Sequence, residues 1–211
     1  TQKGLVVVQV GLALTLVSSF GLLHRSLQAL QAAPVGITAE HRLLATLSLP
    51  TRSPEEEVRR EQDVAKILEQ IHALPGVAAA GTTNLLPMVS QGGHNGNLPL
   101  PGRTEPAFAS FRTATARYFD AAGIPLIAGR VFRASDIAAS PQVAIVSQSF
   151  AADYFPGQNA IGFSLPLGDS NVAIVGVVAN VEVDNDVRRS GKNQTLYLPG
   201  ASDMSRLDLV V

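Results

Sequence analysis

The chain starts with a long apolar run and continues as alternating and amphipathic segments. Residues Gly4 to Leu23 contain no charged side chain. A helix of about 20 apolar residues is long enough to cross a bilayer core of roughly 30 Å at about 1.5 Å per residue. The run therefore predicts one continuous membrane-spanning helix that extends towards Ala33.

Three other kinds of segment share part of this pattern. A buried core helix rarely stays apolar on every face over such a length. A cleaved signal peptide usually has a shorter apolar core, about 7–15 residues, behind a start more basic than Lys3 alone. An interfacial helix needs a strongly polar face, which this run lacks. We therefore favour the spanning helix, and the first residue, Thr1, indicates a piece of a longer protein.

Small residues recur within the run at every fourth position, as Gly11, Thr15 and Ser19. That spacing places them on one stripe, where a neighbouring helix can approach closely. Gln9 is the one large polar side chain of the run, and an amide in hydrocarbon favours a partner on another helix. Small residues are also common in membrane helices generally, and the few flanking charges do not define an orientation.

A strand–helix–strand pattern follows the apolar run. His41 to Pro50 alternates and predicts a strand whose apolar side consists of Leu43, Ala45, Leu47 and Leu49. The segment from Gly76 predicts the next strand, and the helical connection is long enough for the two strands to pair in parallel.

The connecting helix has both a start and a stop signal. Ser53 is a good N-cap, Pro54 suits the first helical position, and Glu56 completes a capping box. Pro75 and Gly76 end the helix. We expect its apolar stripe to pack against the alternating strand, through the residues Val64, Leu68 and Ile71.

Shorter elements make up the rest of the chain. Met88 to Arg103 is rich in Gly, Asn and Pro and predicts a loop. Strands are predicted at Ala107 to Thr115 and Gln142 to Ser147, and in FSLPLG, NVAIVGVVANV, TLYLPG and LDLVV. Two short helices are predicted in ARYFDAAG, ended by Gly123, and in QSFAADYFPG.

Composition excludes several classes of function. The net charge is −1, which argues against a nucleic-acid partner. The chain has no cysteine, so disulfides, thiolate metal sites and a cysteine nucleophile are excluded. Aromatic residues are few and tryptophan is absent, which argues against a stacking platform for bases or sugars.

The sequence contains no recognisable catalytic, cofactor or metal motif. The histidines do not have metal-ligand spacing, and the serines lack a nucleophile elbow. The acidic and basic cluster near position 186 fails the calcium-loop pattern because Arg occupies a ligand position. The candidate residues for such chemistry are His24, His41, His72, His94, Ser147, Ser149, Asp184, Asp186, Arg188 and Arg189. We therefore predict no catalytic residue, no cofactor and no metal, and we do not expect an enzyme.

The order of the segments resembles a known family. An apolar helix is followed by LSLP and by a capped helix ending in LPGV. The most specific pieces are YF-x-x-x-G-I-P-L-x-x-G-R-x-F at Tyr118 to Phe132 and F-P-G-x-x-x-I-G at Phe155 to Gly162. Together they resemble the MacB-type, FtsX-like permeases of ABC transporters. The resemblance is strongest to the double-length permeases of acidobacteria and their relatives, around their second copy of helix plus periplasmic domain.

The resemblance implies an α+β fold with a two-lobed periplasmic domain after the membrane helix. Residues 1–33 would be the transmembrane helix and its extension, and 34–101 a porter-like α/β lobe. An inserted, mostly β lobe would span 102–199. Residues 200–211 would return to the first lobe, and we expect the truncated domain to continue beyond Val211.

The resemblance also implies a function and partners. The chain would be the periplasmic core domain of an ABC-type permease of the bacterial inner membrane, and would convey ATP-driven motion to the periplasm for efflux or export. Its partners would be a cytoplasmic ABC ATPase, other membrane helices of the permease and the lipid bilayer, with a periplasmic adaptor protein as a further candidate. We expect the two lobes to move relative to each other. The alternative is a membrane-anchored periplasmic ligand-binding or sensor domain with a cleft between its lobes.

Overall fold

An N-terminal helix and a mixed α and β domain are the two units of this chain, Thr1–Pro34 and Val35–Val211. A computed structural model of the chain describes residues 2–31, 42–48, 54–86, 94–100, 102–137, 142–168, 170–181, 194–201 and 206–211.

The first unit contains helix α1, Gln2–Gln31, which confirms the predicted continuous helix. Among the described residues, Val6–Gln28 is the one segment long and apolar enough to cross a membrane, and none of it is buried. Its small polar side chains bond within the helix: Thr15 Oγ1 donates to the Gly11 carbonyl at 2.8 Å, and Ser18 Oγ donates to the Leu14 carbonyl at 2.8 Å. These hydroxyl groups therefore need no partner from another helix.

The second unit alternates strands with short helices. Its helices are α2 (Pro54–His72), α3 (Tyr118–Ala122) and α4 (Gln148–Tyr154), with a 3₁₀ turn at Ala134–Asp136. Its strands are β1 (Leu44–Ser48), β2 (Gly81–Thr83), β3 (His94–Leu98), β4 (Ala107–Ala114), β5 (Leu126–Gly129), β6 (Gln142–Ser147), β7 (Ser164–Leu167), β8 (Ser170–Val178), β9 (Thr195–Pro199) and β10 (Arg206–Val210).

Ten strands of the described chain form one mixed sheet, which confirms the α+β class. The order across the sheet is β1-β10-β2-β4-β9-β6-β8-β5, with β3 paired to β4 and β7 paired to β8. Two of the pairings, β4 with β9 and β6 with β8, are parallel, and the other pairings are antiparallel.

Helix α2 packs on the sheet through the predicted stripe. Val64 and Leu68 are buried in one cluster with Leu207 and Leu209 of β10, and Ile71, Ala45 and Leu47 pack against that cluster. The prediction for Leu43 is wrong, because this residue precedes β1 and its side chain is 64% exposed. The predicted positions Leu49 and Ser53 lie outside the described residues.

The predicted direct pairing of the strands on either side of α2 is wrong. Strand β10 lies between β1 and β2 and pairs with both in antiparallel fashion. The two strands are therefore parallel to each other but not neighbours. A strand from the end of the chain fills the gap, and no local pattern around α2 could indicate this.

The predicted loop from Met88 to Arg103 is also wrong in part, because His94–Leu98 forms strand β3. This strand pairs antiparallel with β4, and Gly96 lies opposite Ala109. A Cβ at Gly96 would contact the Phe111 ring at 3.3 Å, so glycine fits this close approach. The Gly- and Asn-rich composition that predicts a loop is compatible here with a strand paired along one side.

Candidate functional site at the junction of two sheet halves

The sheet divides into two halves that meet at a narrow junction. The first half comprises β1, β10, β2 and α2, and the second half comprises strands β3 to β9 with α4; helix α3 packs between the two halves. The junction is the contact between β2 and β4, where a single pair, Thr83 and Ala114, is in register. A connection this short has few backbone hydrogen bonds of its own.

Side chains supply the hydrogen bonds that the short strand pairing lacks. Thr115 Oγ1 accepts from the Thr82 N–H at 2.8 Å, and the Thr115 N–H donates to the Thr82 carbonyl at 3.0 Å. On the other side of the register pair, Asn84 Oδ1 accepts from the Thr113 N–H at 3.0 Å. All four side chains are buried. The Asn84 N–H also donates to the Thr113 carbonyl at 3.4 Å. The junction therefore combines short backbone pairing with side-chain acceptors, Thr115 Oγ1 and Asn84 Oδ1, in place of the return bonds.

Two buried charged residues flank the junction, Asp208 on β10 and Arg112 on β4. Asp208 lies opposite Thr83, and Arg112 lies opposite Tyr197. Because cross-strand partners share a face of the sheet, these side chains lie on one face. The Asp208 carboxylate accepts from the Leu86 N–H and from Thr46 Oγ1, both at 3.1 Å.

Two tyrosines on this face keep neutral phenol groups. Burial raises the pKa of Tyr197 to about 12, partly opposed by the positive charge of Arg112. Burial also raises the pKa of Tyr118 well above its ordinary value. The face therefore contains uncharged aromatic groups beside the charged Arg112 and Asp208.

Helix α3 packs into the core that the two halves share. Tyr118 and Phe119 are buried in one cluster with Leu86 and Val210 of the first half and with residues of the second half, including Tyr197. The ring centres of Phe119 and Tyr197 are 5.1 Å apart in an edge-to-face arrangement. Because Tyr118 and Phe119 begin the family-like Tyr-Phe-x-x-x-Gly sequence, that sequence has a structural role at the junction.

Close packing of α3 depends on a glycine of the first half. A Cβ at Gly81 would collide with the backbone of Arg117 and Tyr118. The start of β2 and the start of α3 thus touch backbone to backbone, and any larger side chain at position 81 would separate them.

Both ends of α3 contact side chains of the first half. At its start, Arg117 Nη1 lies 3.4 Å from His72 Nδ1 at the end of α2. At its end, Arg42 Nε donates to the Ala121 carbonyl at 2.6 Å. Gly123 follows the helix with a φ of 66°, which confirms the predicted left-handed stop.

A cleft of about 610 Å³ adjoins the Arg42 contact. Its lining comes from both halves and consists of Arg42, Leu43, Gly76, Val77, Ala78, Ala79, Asp120, Ala121 and Val211. The lining includes one cationic and one anionic side chain, and the remainder is apolar or backbone. The cleft is large enough for a small molecule.

A second polar site lies in the Gly-Arg-x-Phe part of the family-like sequence. Arg130 donates to Asp136 through Nη1 at 2.6 Å and Nη2 at 3.0 Å, and the Arg133 N–H donates to the same carboxylate. The hydrogen bond from Arg130 holds the pKa of the Asp136 carboxyl below its usual range. The family-like sequence therefore includes a charged residue, Arg130, that is held by a carboxylate.

The structure assigns structural positions to the candidate serines. Ser147 caps α4 by accepting from the Phe150 N–H, and it also accepts from the Thr195 N–H at 3.0 Å. The Ser149 N–H donates to Asn180 Oδ1. Neither serine is paired with a histidine in these bonds.

The candidate histidines are spread over different elements. His24 is exposed on α1, 3.1 Å from Gln28 Nε2, His72 ends α2, and His94 begins β3. Within the ranges that the structure describes, no three His, Asp or Glu side chains are grouped as metal ligands would be. The candidates outside the described residues are His41, Asp184, Asp186, Arg188 and Arg189. The absence of catalysis, metal and cofactor stays a prediction.

Two buried charged residues of the junction were not predicted from the sequence as site residues. Asp208 is a lone charge inside the apolar segment LDLVV, and Arg112 is a lone charge inside AFASFRTAT. Charged residues are almost never fully buried without a partner. A lone charge within a predicted strand was therefore an available signal for a buried polar site.

Two solved structures are similar to this chain. The crystal structure of the periplasmic region of MacB from Actinobacillus actinomycetemcomitans has a TM-score of 0.52 and 16% identity, over 82% of this chain and 75% of that one. The extracellular domain of the ABC-type transporter YknZ from Gram-positive bacteria has a TM-score of 0.49 and 15% identity, over 80% of this chain and 82% of that one. At 16% identity, the likeness to the MacB region shows the fold alone.

Comparison with curated proteins gives no match. The sequence profile of the MacB-like periplasmic core domain matches residues 5–210, which include nearly all of α1 and every strand that the structure describes. This is a family of transporter permease domains and not an enzyme family. The chain belongs to the MacB-like periplasmic core domain family.

Proposed function

We propose that this chain conveys ATP-driven motion to the periplasm as part of an ABC-type permease in the bacterial inner membrane, for efflux or export. The permease would work with a cytoplasmic ABC ATPase, and α1 would lie in the lipid bilayer among the other membrane helices. A periplasmic adaptor protein is a further proposed partner. The single observation that carries this proposal is the narrow junction, because it joins two well-packed halves through few bonds.

The junction has the properties that relative motion requires. Each half has a buried cluster of its own, around Val64 and Leu68 in the first half and around Phe150 and Ile174 in the second. The halves meet through one register pair, the bonds of Thr115 and Asn84, and the core around α3. A small change at a few contacts could therefore shift one packed body against the other.

The pairing of β3 with β4 indicates a different start for the second lobe from the predicted one. The predicted inserted lobe begins at 102, but β3 pairs along β4 over its whole length. We propose that the second lobe begins between 86 and 94 and ends near 199, so that β3 moves with β4.

The proposal is tested by measuring the distance between the halves in the complete permease with its ATPase. The chain contains no cysteine, so spin labels can be attached at Lys66→Cys on α2 and Asn171→Cys on β8. Both positions are exposed. Pulsed electron paramagnetic resonance would compare the nucleotide-free complex with the vanadate-trapped complex, and we expect the distance distribution to shift.

A matched pair within the second half is the control. Labels at Ala152→Cys on α4 and Asn171→Cys are also both exposed, and their distance should stay constant between the two states. An unchanged distance for the 66–171 pair would contradict the proposal. A shift of equal size in the control pair would indicate general loosening instead of movement between halves.

A second candidate function is ligand binding, and the cleft beside Arg42 is the observation that favours it. A ligand at about 100 times its Kd stabilises the folded state by about 2.7 kcal/mol. A thermal-shift screen of small zwitterionic and amphipathic molecules on the detergent-solubilised chain would test this candidate. Stabilisation that Arg42→Gln removes would support a site in the cleft, and a screen without any stabilising molecule would count against it.

A further inference from the structure

We infer that Arg42 is the positioning residue that links the segment after α1 to the second half of the sheet, by holding the last turn of α3. The inference rests on the proposed function, since it names the residue through which motion would pass. Arg42 is separated from Ala121 by 79 positions in sequence, and its Nε–H bond to the Ala121 carbonyl measures 2.6 Å. It directly follows residues 32–41, which connect it along the chain to α1.

The backbone hydrogen bonds at the end of α3 leave the Ala121 carbonyl available to accept from Arg42. The Gly123 N–H donates to the Asp120 carbonyl at 3.1 Å, and the Ile124 N–H donates to the Phe119 carbonyl at 2.8 Å. These two bonds form a Schellman motif, which does not use the Ala121 carbonyl. The Arg42 Nε–H donates to this carbonyl, one of those that the Schellman motif leaves unused in the final turn.

The shape of the site also fits the arginine. A Cβ at Gly123 would collide with Arg42 Nη2 and lie 3.0 Å from Arg42 Cζ. Glycine at position 123 therefore permits both the left-handed end of α3 and the close approach of the guanidinium group. The last glycine of the Tyr-Phe-x-x-x-Gly sequence thus helps to form the contact between the halves.

The backbone beside Arg42 is fixed to the first half. The Leu43 N–H donates to the Val211 carbonyl at 2.9 Å, and the Val211 N–H donates to the Leu43 carbonyl at 3.0 Å. Arg42 is therefore fixed where the chain enters the sheet, and its side chain connects that point to α3, whose Tyr118 and Phe119 lie in the shared core.

The experiment uses the complete permease with its ATPase and the label pair at positions 66 and 171. Arg42→Gln removes the guanidinium group, and Gly123→Ala disturbs the contact from the α3 side while Arg42 stays in place. Arg59→Gln is the matched control, because Arg59 is exposed on α2 of the same half and makes no hydrogen bond or ion pair within the described ranges. Thermal unfolding confirms that each variant is folded.

We expect Arg42→Gln and Gly123→Ala to reduce the nucleotide-dependent distance shift at least twofold, and Arg59→Gln to keep it. A full shift in folded Arg42→Gln would overturn the role of Arg42 and leave the proposed function standing. No shift in the unsubstituted protein would instead overturn the proposed function. If Arg42→Gln does not fold, Gly123→Ala decides the question, since a full shift in that variant also overturns the role.

Discussion

At the scale of single residues, side-chain oxygens act as hydrogen-bond acceptors where the short strands at the junction do not supply a backbone carbonyl. Thr115 and Asn84 accept backbone N–H groups from the opposite half. Leaving a buried N–H without an acceptor costs more free energy than a hydrogen bond normally contributes to stability in net terms. The junction is therefore stabilised by few bonds, each of which matters.

Thr115→Val should destabilise the second unit by about 1–3 kcal/mol, because the buried Thr82 N–H loses its acceptor while the side chain keeps its shape. Thr113→Val is the matched control. The Thr113 hydroxyl is buried and has no hydrogen-bond partner among the described residues, so its removal should be neutral or stabilising. Denaturant unfolding of both variants checks this, and equal losses of stability would contradict the hydrogen-bond assignment.

Asp136→Asn should destabilise the protein at neutral pH by about 1.5–3 kcal/mol, since the variant loses the charge-assisted bonds from Arg130. The pKa of the Asp136 carboxyl is lowered chiefly by the hydrogen bond from Arg130. Its contribution to stability is therefore present above the unfolded-state pKa of about 3.9 and is lost as the pH falls through the lowered native value.

Thermal unfolding at pH 7 and at pH 2 measures this effect. The difference between wild type and Asp136→Asn should shrink at the lower pH. Asp63→Asn is the control, because Asp63 is exposed and its ion pair with Lys66 measures 4.0 Å. A difference that is the same at both pH values would show that the ionised carboxylate is not the stabilising group.

At the scale of elements, helices and strands with a strong local signal could be predicted from the sequence. The neighbours of each strand in the sheet could not. The periodic stripe of α2 and the left-handed stop at Gly123 followed from local patterns, and both are confirmed. The position of β10 between β1 and β2 depends on residues more than 100 positions away, so no local pattern could indicate it. Strand β3 was not predicted because its sequence is rich in Gly and Asn, which are typical of loops. In the structure this segment pairs with β4.

Leu68→Ala should cost about 2–5 kcal/mol, because it removes a buried side chain between α2 and β10. Leu74→Ala offers a control, since Leu74 is 56% exposed in the turn after α2 and should change stability by less than about 0.5 kcal/mol. Chemical denaturation measures both values. An unchanged midpoint for Leu68→Ala would mean that this face of α2 is not packed on the sheet.

Leu14→Arg should impair membrane integration by about 2.5–3.5 kcal/mol if α1 crosses the bilayer. Leu14 lies near the middle of α1, whereas Leu27 lies near its end, where an arginine can reach the interface. Leu27→Arg should therefore be integrated better. Alkaline extraction of membranes separates integrated from peripheral chains, and normal integration of Leu14→Arg would argue against a spanning helix.

At the scale of the whole molecule, the two halves form one sheet, each has a buried cluster of its own, and they share a third around α3. The family-like Tyr-Phe-x-x-x-Gly sequence lies where they meet, at Tyr118 to Gly123, and both ends of that helix contact the first half. The resemblance indicated the fold and the family. It did not indicate the junction, because the buried Arg112 and Asp208 become neighbours of the tyrosines only after distant strands pair.

The most direct test of the account is a reversible lock between the halves in the complete permease with its ATPase. Cysteines at His72→Cys and Arg117→Cys, whose native side chains are 3.4 Å apart, can be bridged by a short bifunctional methanethiosulfonate reagent. Single-cysteine variants treated in the same way are the control. The measured quantity is the rate of ATP hydrolysis in liposomes. The account predicts at least a twofold fall on locking, fully restored by a reducing agent, whereas an unchanged rate in the locked complex would contradict it.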